Sequence, residues 1–248
     1  MRYLIRFVLA AFLLKLGAAP FQYWVSDVYE GAPAIVTLFL CIVVNLTMFL
    51  ALVYLFNSPL FFNTVAIYRP LLSIASILSI VIGCFGAFFQ KNIMRILAYS
   101  SIYNMGYVLA GLSVGNLIGL QAALTHLVFY CFSFLLLFTL ILNCKKEGSP
   151  CITYTTDLKN LRVGNMFVPL LFVLTLSSLV GIPPLTGYCT KVSILMQLIY
   201  SELYGVATIA TFSSVLSGYY YFSLIKIVYS DPEDLPLLFL PNRNSRSF

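Results

Sequence analysis

Leu179-Val180-Gly181-Ile182-Pro183-Pro184-Leu185-Thr186-Gly187-Tyr188-Cys189-Thr190-Lys191 lies within an apolar run that extends from about residue 164 to 200. One straight helix needs about 20 residues to cross a hydrocarbon core, so this run is too long for a single span. Paired prolines remove backbone donors and glycines favour turns, which predicts a membrane segment broken at 181–187. Lys191 follows the break, and apolar sequence continues beyond it to Tyr200. A lysine at the centre of a membrane helix costs about 2.5–3.5 kcal/mol on insertion scales. An ammonium kept at that cost marks a place where protons or ions are handled.

The start of the chain repeats this arrangement. Val8-Leu9-Ala10-Ala11-Phe12-Leu13-Leu14 leads to Lys15, and Gly17-Ala18-Ala19-Pro20 interrupts the segment directly after it. No acidic residue lies near either lysine in sequence. Without a small-residue cleavage site and a soluble domain after it, this opening stretch is not expected to be a cleavable signal peptide.

The whole composition agrees with a membrane protein. Of 248 residues, 61% are apolar and 9% charged, against about 25% charged in soluble domains; mean hydropathy is +0.97. Seven membrane segments are predicted, at roughly 2–25, 33–56, 69–89, 92–114, 117–143, 164–200 and 203–229. The short alternating segments of a β-barrel are absent from the pattern. The expected fold is therefore an all-α polytopic bundle of about seven transmembrane helices, two of them broken.

All eight acids, Asp27, Glu30, Glu147, Asp157, Glu202, Asp231, Glu233 and Asp234, fall in predicted connections or at helix ends. Arg2, Arg6 and Arg69 map to one side of the bundle. Lys91, Arg95, Lys145, Lys146, Lys159, Arg162, Lys226, Arg243 and Arg246 map to the other. The positive-inside rule makes the second side cytoplasmic or matrix, with the N-terminus outward and the C-terminus inward. The net charge of +6 thus reflects topology; scattered over short loops, it forms no stripe for nucleic acid. Six cysteines, Cys41, Cys84, Cys131, Cys144, Cys151 and Cys189, form no C-x-x-C pair, and there is a single histidine. Metal, haem and iron–sulfur ligation are unsupported, and nothing in the chain is expected to carry electrons.

Broken helices in corresponding positions of two halves are the best sequence pointer to a transporter's pathway. Freed backbone groups at such breaks must be satisfied by water or protein. The second part of the chain looks complete, with five segments in 69–230, whereas 1–68 holds two; a polar tail occupies 231–248. The chain reads as the back portion of something larger.

Three motifs then point to a family. Lys15-Leu16-Gly17-Ala18-Ala19-Pro20-Phe21-Gln22-Tyr23-Trp24-Val25-Ser26-Asp27-Val28-Tyr29-Glu30-Gly31-Ala32-Pro33 closely resembles the signature K-x-x-x-x-P-F-H-x-W-x-P-D-V-Y-x-G-A-P. Gln90-Lys91-Asn92-Ile93-Met94-Arg95-Ile96-Leu97-Ala98-Tyr99-Ser100-Ser101-Ile102 and the opening Leu179–Lys191 stretch resemble two more motifs in the same order. All three are similar to the antiporter-like subunit 2 family of respiratory NADH:ubiquinone oxidoreductase (complex I), over nearly the whole chain.

The resemblance implies an antiporter-like bundle of two inverted five-helix repeats, each with a half-channel around a broken helix. This chain would hold the last two helices of the first repeat and the whole second repeat. A separate chain would supply the missing helices and an acidic partner for Lys15. Other complex I membrane-arm subunits and lipid are the remaining expected partners. NADH, flavin, iron–sulfur clusters and ubiquinone are expected in partner subunits, with no cofactor bound here. The mitochondrial inner membrane is the preferred location, a bacterial plasma membrane the alternative.

By resemblance Lys15 is the central lysine of the first broken helix, and Lys191 the terminal lysine of the second half-channel. A nearby carboxylate holds an amine's proton and apolar burial loosens it, so moving the acid switches proton affinity. Snorkelling to the interface is the plain alternative for Lys15. His126, with Tyr130 one turn later on the same face, is a candidate relay at neutral pH or a helix–helix hydrogen bond. Asn45 departs from the family, which commonly carries a lysine or another titratable group there, and Asn104 stands where some relatives carry histidine. Either amide could order water but cannot hold a proton charge. Ser100, Ser101 and Asn104, Gln121 and Thr125, and Ser213, Ser217 and Tyr221 form polar stripes that predict interhelical hydrogen bonds. The expected function is proton translocation coupled to quinone reduction. The rivals are an Mrp-type cation/proton antiporter subunit and a structural subunit with an inactive channel.

Overall fold

Freed backbone groups at the two breaks organise the bundle. The structure, a computed structural model, describes residues 2–56, 65–143, 154–158 and 167–230. The first helix, α1 (Arg2–Leu16), ends at Gly17, whose φ of 64° is the left-handed conformation that closes a helix C-terminus. Ala18 N donates to Leu13 O at 3.0 Å and Gly17 N to Leu14 O at 3.2 Å, which completes that cap. Beyond the cap, the buried Ala19 amide donates to Ser79 Oγ at 2.9 Å, and the Trp24 indole donates to Leu14 O at 2.9 Å. The chain resumes as α2 (Tyr23–Gly31).

The helix α3 (Ala34–Phe56) contains a π turn at Leu40–Val44. It is followed by α4 (Val65–Phe88), α5 (Ile93–Ser113) and α6 (Leu117–Asn143). The second break separates α7 (Phe167–Val180) from α8 (Thr186–Tyr200), and α9 (Tyr204–Tyr229) closes the bundle. Gly181, at φ 88°, ends α7 as Gly17 ends α1, with Ile182 N donating to Ser177 O at 3.2 Å. Each break also carries a cis proline bond, at Ala19–Pro20 and Pro183–Pro184. The described residues are helical apart from turns and one isolated bridge. Ala34–Phe56, Ile67–Phe88 and Leu117–Leu142 are each long and apolar enough to cross a membrane.

Two boundaries differ from the sequence reading. The first segment runs on to Gly31, because α2 is amphipathic: Val25, Ser26 and Tyr29 are buried while Asp27 and Glu30 face out, which masks the helix from a hydropathy reading. The helix α4 starts at Val65 and passes through Pro70 in its second turn, which membrane helices tolerate when neighbours re-satisfy the backbone. The loop at 144–163, apart from 154–158, and the tail at 231–248 lie outside the described residues.

The centre of the bundle is α5, buried at every position except Arg95 and Tyr99. It packs most extensively on α4, where Gly83 and Gly106 let the two backbones approach. It also meets α2, α6 and α8, while α9 packs on α4, α7 and α8. At one end Glu30 pairs with Arg95 and accepts from Asn92 Nδ2 at 2.9 Å, and Thr155 N donates to Lys91 O at 3.0 Å. At the other end Arg69 Nη2 donates to Ser201 O at 2.6 Å. Outward-facing apolar side chains such as Phe7, Phe39, Phe132 and Val215 suit a lipid surround.

The polar stripes mostly do not reach across helices. Ser100 donates to Leu97 O, Ser101 to Ala98 O, Asn104 to Ser100 O and Thr125 to Ala122 O, each within its own helix. Short polar side chains in a helix find the carbonyl three or four residues back before any neighbour. Some do cross: Ser217 donates to Ser214 O and also lies 3.2 Å from the Tyr103 hydroxyl, Tyr221 meets Ser100 and Asn104 of α5, and Ser101 meets Tyr29 of α2.

Candidate functional site

The second break leaves the last carbonyls of α7 without helical partners, and a side chain from α8 fills that role. Lys191 is 5% exposed, and its Nζ donates to Leu179 O at 2.7 Å and Val180 O at 2.8 Å. The negative end of the α7 dipole faces the ammonium and stabilises it. Tyr103 and Tyr107, one turn apart on α5, hold their ring centroids 5.2 and 5.5 Å from the same Nζ. Among the described residues, the ion pairs join Arg95 to Asp27 and Glu30, so no described carboxylate pairs with Lys191.

His126 comes in from α6. Its Nδ1 lies 3.0 Å from Thr190 Oγ1, and that hydroxyl donates to Gly187 O at 3.1 Å. With its own proton committed to Gly187, Thr190 accepts from Nδ1–H, leaving Nε2 as the imidazole's bare acceptor. His126 is 4% exposed and its Nε2 has no protein partner; nor has the buried Tyr130 hydroxyl. Both residues line a cavity of about 10 Å³, together with Asn104, Ser178, Gly187 and Lys191. A volume of that size matches roughly one water molecule. Four elements thus converge on one small cavity, which Phe129, Ser133 and Leu179 also line.

Beyond Tyr130, Cys41 and then Tyr29 continue a row of buried hydroxyl and thiol groups toward Ser101. Asn45 lies at the edge of this row; its Nδ2 donates to Cys41 O at 2.9 Å, a carbonyl of the π turn. Such turns interrupt the regular helical ladder and are frequent at functional sites. Asn104 spends its amide on Ser100 O at 2.8 Å.

Lys15 stands apart from this cluster. It is exposed on α1 and borders a cavity of about 370 Å³ with Ala11, Phe12, Met48 and Ala51. No described carboxylate pairs with it. The structure therefore brings together Lys191, His126, Tyr130 and Asn104, with Asn45 at the edge and Lys15 outside. Thr190 also lines this cavity, and Tyr103 and Tyr107 stand against the Lys191 amine beside it; no sequence signal singles out these three, whereas Ser217, next to Tyr103, lies on one of the polar stripes. Tyr103 and Tyr107 do recur at helical spacing beside Asn104.

The profile of the NADH:quinone oxidoreductase/Mrp antiporter transmembrane family matches residues 1–217. The chain belongs to this family. Within the family, it is 37% identical to NADH-quinone oxidoreductase subunit N of Pelagibacter ubique over 230 residues, 92% of this chain and 48% of that protein. A chain of respiratory complex I from Thermus thermophilus superposes with a TM-score of 0.78 at 31% identity, covering 91% of this chain and 49% of that one. A chain of the Mrp complex from Dietzia sp. superposes with a TM-score of 0.83 at 21% identity, over 95% of this chain and 43% of its own length. The last comparison speaks to the shared fold alone. The chain spans about half the length of the family members it matches. The antiporter-like helical fold, with its membrane location, is thus common to both branches of the family.

Proposed function

We propose that the chain translocates protons in the membrane arm of a respiratory NADH:quinone oxidoreductase, using Lys191 and His126 as titrating groups. One observation carries the reading: a buried amine is held by two carbonyls and two aromatic faces, without a described carboxylate, beside a bare imidazole nitrogen. A full countercharge would lock the ammonium; carbonyls and rings hold it while leaving release within reach. Moving one proton across 100 mV costs about 2.3 kcal/mol, close to a hundredfold change in proton affinity at about 1.36 kcal/mol per tenfold. Electrostatic changes of that order, driven by quinone reduction in partner subunits, are sufficient.

In this reading Tyr130 and an ordered water link His126 to Lys191, and Asn104 and Asn45 orient water. Lys15 serves a second proton site in the first repeat, the end of which is placed here at 1–68. The unit at 69–230 forms the second repeat. NADH, flavin, iron–sulfur clusters and ubiquinone belong to partner subunits. The end bearing Lys91 and Arg95 faces the matrix or cytoplasm and the end bearing Arg69 faces out, as the basic-residue bias supports.

The test is Lys191→Ala in the assembled complex. NADH-driven proton uptake per electron is expected to fall, with quinone reduction retained or slowed. Unchanged stoichiometry would favour a structural subunit with an inactive channel. The Mrp-type reading, kept in view by the family that both branches share, requires cation/proton exchange in vesicles without NADH.

A further inference from the structure

The two tyrosines beside Lys191 are placed with more care than packing requires. Their rings meet edge to face, with centroids 5.2 Å apart and planes at 67°. The ammonium sits at nearly equal distance from both, 5.2 Å from Tyr103 and 5.5 Å from Tyr107. Both residues are fully buried. Their hydroxyls are tied to α9: Tyr107 donates to Ala210 O at 2.5 Å, and the Tyr103 hydroxyl lies 3.2 Å from Ser217 Oγ. A third bond, Tyr103 to Tyr107 at 3.3 Å, joins the pair. Ring orientation is thus set from the polar end, and the π surfaces are presented to the amine.

We propose that Tyr103 and Tyr107 form an aromatic clamp that presses the Lys191 ammonium onto the α7 carbonyls and sets how readily that amine releases its proton. This rests on the proton-transfer role assigned to Lys191. A cation on a ring face gains electrostatic stabilisation that a neutral amine does not. The rings therefore favour the protonated form in a graded way, without the locking effect of a carboxylate. Since the hydroxyls are tethered to α9, a shift of α9 against α5 tilts the rings and changes that stabilisation. The groups facing the amine are few. Cys84 comes from α4 and His126 and Tyr130 from α6, while α7 presents its carbonyl end. Ser217 and Tyr220 of α9 stand behind Tyr103. None of them carries a negative charge at neutral pH in an apolar setting.

The test compares Tyr103→Leu and Tyr107→Leu with Tyr103→Phe and Tyr107→Phe in the assembled complex. All four lose the hydroxyl tether; only the leucine variants lose the ring. The clamp predicts that the alkaline limb of NADH-driven proton uptake moves to lower pH in the leucine variants. Proton affinity falls by roughly three- to thirtyfold, about 0.5–1.5 pH units, and the phenylalanine variants, which keep the ring but lose its tether to α9, shift in the same direction by less than half as much. A structural role would lower the amount of assembled complex without moving the limb. Equal shifts in Phe and Leu variants, or none in either while Lys191→Ala abolishes uptake, would overturn the clamp and leave the proposed function standing. A density map of the Tyr103→Leu complex gives a readout independent of transport. The clamp predicts that Lys191 Nζ leaves Leu179 O and Val180 O, and an amine still bonded to both would overturn it even if Lys191→Ala proved silent.

Discussion

Trp24 Nε1 donates to Leu14 O at 2.9 Å, so a residue of α2 closes the end of α1 that the break at Gly17 leaves open. On the other side of the same break, Ser79 of α4 accepts from the Ala19 amide, and both residues are fully buried. Ser79→Ala leaves a buried amide unpaired, at a cost of about 1–3 kcal/mol. Trp24→Phe, whose bond is more exposed, costs less. Thermal melts of the assembled complex should rank the two in that order, and the reverse ranking would show that the break is hydrated.

Lys191→Arg keeps the positive charge and can still bond the α7 carbonyls. A guanidinium does not lose its proton in proteins, so it cannot complete a transfer cycle. Proton uptake per electron is expected at the Lys191→Ala level, with assembly better preserved than in the alanine variant. Wild-type uptake from the arginine form would mean that charge alone, without release, suffices.

Much of this site is legible in the sequence itself. The Gly-Pro interruptions mark both breaks, and Lys191 after an apolar run without nearby acids marks the cavity. What could not be read is how the breaks are closed. Trp24, Ser79 and Lys191 do equivalent work on freed backbone groups, yet they come from different elements and different distances along the chain. Thr190 and the Tyr103–Tyr107 pair were invisible for the same reason: serines, threonines and tyrosines are common in membrane helices, and most of those here bond within their own helix. The π turn that offers the Cys41 carbonyl to Asn45 has no compositional mark either.

Thr190 fixes the imidazole that sits beside Lys191. Thr190→Val preserves shape but removes the acceptor, leaving His126 Nδ1 buried without a partner, for about 1–3 kcal/mol. Thr190→Ser retains the hydroxyl. Proton uptake should fall in the valine variant and stay near wild type in the serine one. Equal loss in both would assign the defect to packing.

Arg95 meets Asp27 at 3.7 Å and also pairs with Glu30, but its side chain is 40% exposed. Exposed pairs contribute about 0–1 kcal/mol and are screened by salt. Glu30→Gln is expected to change the melting temperature by only a few degrees and to leave proton uptake intact. A large loss of uptake would instead make this cluster part of a proton entry path.

Gly181 joins backbone strain to the chemistry. At φ 88°, an alanine pays about 1–2 kcal/mol for the left-handed conformation, and its Cβ would stand 3.2 Å from Lys191 Cδ. That separation is closer than comfortable carbon contact, so the lysine stem must yield. The amine would then draw back from the Leu179 and Val180 carbonyls, which are held at 2.7 and 2.8 Å. Gly181→Ala should therefore lose more proton uptake than its stability loss alone accounts for. Gly17→Ala, at φ 64° on the Lys15 side of the fold, also drives its Cβ into Val25 Cγ2; it loses more stability without touching Lys191, so the two are compared by uptake lost for a given loss of stability. If both variants lose uptake only in proportion to stability, displacement of Lys191 is not what matters at Gly181.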